Sequence, residues 1–285
     1  MKAELEKNVL MGDYLDYKAV NKSLLLEMIK NTPWHAWNEY LNPDNKNKID
    51  MDEELPYLAW WKRETKPHFQ YGTALHAFLL EEENFDKYVA VRPDIALGSN
   101  ANKALFNEFI KENQGKAFIT EKKFKDIKIA SKNVLSSKTA PFLLDKSGFV
   151  ESCIFWDCPE TGVRKKCRPD FMNPDMDIVV DVKTADNARH KEFTYKSRGF
   201  GYHLSHALTA EGYEQYFGRP LKAYIYLVIE KKTNQVAFYN SEPDCLMLGQ
   251  EIIKEQTAIY AECVKNDYFP SYEDKILPLN LTYEV

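Results

Sequence analysis

The chain has 285 residues, 44% of them hydrophobic and 13% aromatic, with a net charge of -5. That is enough apolar material for one large or two small cores, which excludes a disordered chain. The acidic balance speaks against a protein that coats nucleic acid with a broadly basic surface, while leaving room for a local basic groove.

Five cysteines with no CxxC pair argue against a zinc ribbon, a four-thiolate iron–sulfur cluster and a disulfide framework. Free thiols fit a reducing, cytoplasmic compartment. The opening MKAELEKNVLMGDYLDYK is charged, and no 18-residue apolar window occurs, so neither a signal peptide nor a membrane span is expected.

In chain order, Asn21 or Ser23 caps a helix carrying Leu24, Leu25, Leu26, Met28 and Ile29. Pro33 interrupts the pattern, and Trp34, Trp37, Tyr40 and Leu41 resume it. Residues 42–53 read as a polar loop and 55–61 as an aromatic segment. GTALHAFLLEEE, residues 72–83, is a helix with Leu75, Phe78 and Leu79 on one face. Two more helical patterns follow, around Leu105, Phe106 and Phe109 and around Ile127, Ile129 and Val134, amid many lysines.

The period changes near Phe149. Residues 149–156 and 163–169 read as the two strands of a hairpin around DCPETG, and 177–183 as a neighbouring strand. A partly helical stretch covers 191–217, and KAYIYLVIE and residues 235–240 are strands. A helix spans 242–266, and an aperiodic tail ends the chain. The order, helices and then β-β-β-α-β-β-α, predicts a single α/β domain over 1–285 with a mixed central sheet flanked by helices. In that division 1–145 is a mainly helical N-terminal part, 146–270 the core and 271–285 the tail.

Chemistry concentrates in RPDFMNPDMDIVVDVK, residues 168–183. On a strand, Asp181 and Lys183 leave the same face, while Val180 and Val182 leave the other towards a core. Two carboxylates and an amine at the end of a buried strand are costly unless paired, and a divalent metal with a phosphate satisfies them. Asp170, Asp181 and the backbone carbonyl of Val182 are the candidate metal ligands. Lys183 is the candidate for orienting an attacking water or holding a phosphate oxygen. Such a cluster also arises as a solvated ion pair on an edge strand.

Hairpin, PD, a strand with DxK and then a helix resemble the PD-(D/E)xK nuclease superfamily. Gly72-Thr73-Ala74-Leu75-His76 looks like the G-x-x-x-H helix of its RecB-like branch. The stretches YGTALHAFLLE, CRPDFMNPDMDIVVDVKTADNA, FGYHLSHALTAEGYEQYFG and YIYLVIE are together similar to RecE-type exonucleases of phage and prophage recombination. They span Tyr71 to Glu230, over half the chain.

The resemblance implies a restriction-endonuclease-like core. It also implies metal ligation by His76, Asp170 and Asp181, catalytic support from Lys183, and two Mg2+ ions replaceable by Mn2+. Its implied activity is digestion of linear double-stranded DNA from 5′ to 3′, leaving 3′ single strands for a RecT-like annealing partner. The enzyme would be a homo-oligomeric ring in a bacterial or phage-infected cytoplasm. A structure- or site-specific endonuclease and a non-catalytic DNA-binding module are the competing readings.

One departure stands out. Where RecB-like nucleases often carry Q-x-x-x-Y, this chain has Ser205-His206-Ala207-Leu208-Thr209. Tyr202, His206 and Tyr213 are the candidates to take over that role. Glu151 is either a strand-end surface group or a further acid of the site. Arg164, Lys165, Lys166 and Arg168 form a solvated face or contact phosphate, and Lys196 and Arg198, beyond the DxK strand, are further candidates to reach the DNA backbone.

Overall fold

The computed structural model describes residues 3–7, 9, 11–42, 67–96, 98–145 and 148–278. The expected 42–53 loop, apart from Asn42, and the 55–61 segment lie outside those residues.

Strand β8 (Ile178–Ala185) is the centre of the five-stranded sheet β10-β9-β8-β7-β4. Its parallel neighbour is β9 (Ala223–Glu230), and β10 (Val236–Asn240) pairs antiparallel outside β9. On the other side lie the short strands β7 (Phe171–Asn173) and β4 (Phe149–Val150).

Alternation gives this sheet two buried faces. Val180, Val182, Leu227 and Ile229 join one core with Ala74, Leu75, Ile127 and Val134. Those partners come from helices α4 (Pro67–Leu80) and α7 (Glu121–Leu135). Val179, Tyr224, Tyr226 and Val228 join the other core with Leu24, Leu25, Leu204 and Leu208. These last four belong to α2 (Lys22–Lys30) and α10 (Tyr202–Phe217). Asp181 and Lys183 therefore emerge beneath α2 and α10.

The N-terminal part also holds α1 (Met11–Asp16), α3 (Pro33–Tyr40), α5 (Phe85–Tyr88), α6 (Asn100–Glu112) and α8 (Ala140–Leu143). It contributes a parallel pair that the sequence reading missed, β2 (Val89–Arg92) and β3 (Ala117–Thr120). At α2 the cap is Asn21, whose side chain accepts the Leu24 N–H at 2.9 Å.

The hairpin differs from its expected form. The segment 149–156 is broken at Glu151, which adopts φ 47°. β4 stays in the large sheet, while β5 (Cys153–Asp157) turns away and pairs with β1 (Glu4–Glu6) and β6 (Arg164–Cys167). The basic run is not a solvated face either. Lys165 and Lys166 are buried on β6, because the isolated bridge from Val20 to Lys165 and strand β5 flank that strand. Lys165 meets Glu211 at 2.9 Å, and Lys166 donates to the carbonyls of Tyr14, Leu15 and Tyr17.

Helix α9 (His190–Gly199) leads through Gly201, at φ 64°, into α10. Helix α11 (Pro243–Lys265) packs on α10 so closely that a Cβ on Gly249 would sit 2.3 Å from the His203 carbonyl oxygen.

Candidate active site

The site begins just before β7, at Asp170, where the pairing of β7 with β8 gives out. β7 pairs with β8 only over Ile178–Val180, so the next outward-facing peptide groups of β8, those of Val182, have no strand partner there. Two side chains take them instead. Asp170 Oδ2 accepts the Val182 N–H at 2.6 Å, and His76 Nε2 lies 3.0 Å from the Val182 carbonyl oxygen. A carbonyl only accepts, so Nε2 carries the hydrogen and Nδ1 presents its lone pair or a second proton to the acids.

His76 Nδ1 is 3.5 Å from Asp170 Oδ1 and 3.6 Å from Glu151 Oε1. Burial opposes an imidazolium there, but the carboxylates of Asp170 and Glu151 outweigh it and hold His76 up at about 9. The left-handed backbone at Glu151 brings its carboxylate inward. Its peptide N–H donates to Asp170 O at 3.0 Å, and Arg168 Nε reaches both its carbonyl and Oε2. Burial works against the Glu151 carboxylate, yet His76 and Arg168 keep it below the usual range.

Ligand atoms of His76, Glu151 and Asp170 all lie within 4.8 Å of one another. Two carboxylates and an imidazole at that spacing fit one hard divalent cation, whose bonds to oxygen are roughly 2.0–2.6 Å. Asp181 stands beside this triad. Its Oδ1 accepts from Lys183, and its Oδ2 accepts the Tyr224 hydroxyl at 3.0 Å. Burial pushes the Asp181 carboxyl up to about 6, and nearby Asp170 adds to that against the pull of Lys183. Lys183 Nζ also lies 3.8 Å from Asp170 Oδ2 and is held above its ordinary value by the two acids, against its burial.

The remaining candidates separate cleanly. Tyr202 is half-buried, with Lys183 Nζ 5.5 Å from its ring centre. His206 Nδ1 pairs with Ser241 Oγ at 2.9 Å, and burial holds the ring down at about 4. Tyr213 is wholly buried and donates to Asp177 at 2.8 Å. The face of α10 that meets the site is Ser205, Leu208 and Thr209 instead, at helical i, i+3, i+4 spacing. Lys196 is exposed and sits 3.5 Å from Asp186, and Arg198 is exposed on the last turn of α9.

A pocket of about 170 Å³ opens onto Asp170, Asp181 and Lys183 and is also lined by Lys22, Arg168 and Thr209. Lys22 and Tyr224 were not among the residues expected from the sequence. Lys22 is the first residue of α2, where a cation opposes the helix dipole. Burial, and then the charge of Lys183, pull its ammonium down to about 8. A lysine at the start of an apolar helix was the available signal. Tyr224 had none, because in an apolar strand it reads as core.

A mixed sheet whose central strand carries Asp-x-Lys beside a buried Asp and a half-buried His defines the chain as a PD-(D/E)xK-superfamily α/β protein. It belongs to the family described as PDDEXK-like domain of unknown function (DUF3799), whose model matches residues 57–278. The fold is also that of a crystal structure from Eubacterium rectale named "Putative exonuclease". The two share 13% identity and a TM-score of 0.57, over 97% of each chain. No protein of curated function matches the sequence. Among the described residues no helix is long and apolar enough to cross a membrane.

Proposed function

We propose that the protein is a Mg2+-dependent exodeoxyribonuclease of RecE type. It would hydrolyse linear double-stranded DNA from the 5′ end and leave 3′ single strands for an annealing partner. The carrying observation is the convergence of His76, Glu151 and Asp170 beside the Asp181–Lys183 pair. Residues so far apart in sequence, with this much buried charge, are costly without a ligand to neutralise them.

In this reading His76, Asp170 and Glu151 hold the cation, and Asp181 and the second lone pair of the Val182 carbonyl complete its surroundings. The bound metal supplies charge neutralisation at the phosphate and a more acidic water. Lys183 places its ammonium in the pocket, where it orients the attacking water or steadies a phosphate oxygen. Lys22, facing the same pocket from α2, adds a second positive charge for the phosphate backbone. Arg168 keeps the Glu151 carboxylate aimed at His76. The whole chain acts as one nuclease unit, and an acidic exterior around this basic pocket suits a homo-oligomeric ring that confines DNA.

The test is digestion of end-labelled linear duplex with Mg2+, alongside a covalently closed circle. Expected are loss of the linear DNA, release of the 5′ label first and an intact circle. Nicking of the circle would replace the exonuclease reading with an endonuclease one. No hydrolysis with Mg2+ or Mn2+ would refute the nuclease reading.

A further inference from the structure

Beside Lys183, three near-parallel rings run from the core to the surface. Tyr226 is buried, and its hydroxyl donates to the Tyr202 carbonyl at 2.9 Å. Tyr202 stacks with it, ring centres 5.4 Å apart at 22°. Phe200 stacks with Tyr202 in turn, at 5.7 Å and 28°, and is 53% exposed. Lone exposed phenylalanines are ordinary, but this one is the outer end of an ordered stack. The middle ring of that stack carries the ammonium of Lys183.

The backbone fixes the ring in place. Phe200 is the C-cap of α9, and Gly201 follows in the left-handed region, where an added Cβ would lie 2.9 Å from Leu26 Cδ1. Exposed Lys196 and Arg198 stand on the same last turn. A fixed aromatic face, with cations on the same helix turn and the pocket lysine Lys183 one ring away, is the arrangement that grips an unstacked nucleotide.

We propose that Phe200 is a stacking platform for an unpaired terminal base of the DNA strand whose backbone enters the Lys183 pocket. This rests on the nuclease reading above. It makes Phe200 a positioning residue that favours frayed or single-stranded ends, with no preference among bases, since every base offers a π-face.

The experiment uses a short duplex with 2-aminopurine as its terminal base, bound in Ca2+ to hold back hydrolysis, and then digestion in Mg2+. The wild type should quench the fluorophore on binding. Phe200→Leu should lose the quench and raise KM about tenfold, while Phe200→Trp restores both. A Phe200→Leu variant that still quenches, with KM within about twofold of wild type, overturns the platform alone. A wild type that neither binds nor digests the duplex overturns the nuclease reading, and the platform with it.

Discussion

His76 Nε2 meets the carbonyl oxygen of Val182 at 3.0 Å across 106 positions of sequence, so an edge group of the central strand sets the tautomer of the imidazole. That contact turns Nδ1 towards Asp170 and Glu151. Replacing His76 by Ala should weaken Mn2+ binding by at least about 10- to 100-fold, the scale on which losing even an outer partner of a metal ligand is felt. Glu151→Gln should weaken it comparably, since its carboxylate faces the same nitrogen. Titration calorimetry with Mn2+ checks both, and unchanged affinity in either variant removes that residue from the ligand set.

Lys22 gives a pH dependence of defined sign. Its ammonium titrates at about 8 and is lost above that value, whereas Lys183 is held in its charged form well beyond it. DNA affinity of the wild type should therefore fall as pH rises from 7 to 9. Lys22→Met should bind more weakly at pH 7 and fall less steeply over the same range, the remaining slope coming from His76, held at about 9. Its salt dependence should drop by about one phosphate contact. Fluorescence anisotropy across pH and salt measures this. A wild-type profile no steeper than the variant's would dissociate Lys22 from DNA.

Tyr224 holds the oxygen of Asp181 that Lys183 does not. Tyr224→Phe keeps the ring and removes the donor, so the fold should survive while Asp181 loses its orientation. We expect kcat to fall about tenfold with KM nearly unchanged, a loss of about 1.4 kcal/mol in transition-state stabilisation. A rise in KM at constant kcat would point to substrate binding instead.

The central strand was legible because Ile178-Val179-Val180 is a short apolar run, although the Asp-x-Lys after it also fitted a solvated ion pair on an edge strand. The His76 helix was legible from its apolar face. The two-sheet arrangement was not. It turns on the left-handed backbone of Glu151, and nothing in a glutamate's neighbours announces positive φ. For the same reason its entry into the site was an open choice from sequence. Lys165 and Lys166 looked solvent-bound because charge normally is. Their burial depends on Glu211 and on the carbonyls of Tyr14 and Tyr17, in and just after α1, partners 46 and about 150 positions away.

Two glycines in helices should respond in opposite directions to alanine. On Gly212 of α10, a Cβ would lie 2.7 Å from Cζ3 of Trp156, a ring that is 1% exposed and whose Nε1 is held by Glu211 at 2.9 Å. The ring cannot move away without breaking that bond, so Gly212→Ala should destabilise by about 1–3 kcal/mol through overpacking. On Gly72 of α4, a Cβ meets nothing within 4 Å among the described residues, so Gly72→Ala should stabilise by about 0.5–1 kcal/mol by helix propensity. Thermal unfolding of the two variants decides this. Should Gly72→Ala raise the Tm yet weaken DNA binding, the glycine of the G-x-x-x-H helix is kept for access to the site four residues on, because its own helix would be better served by alanine.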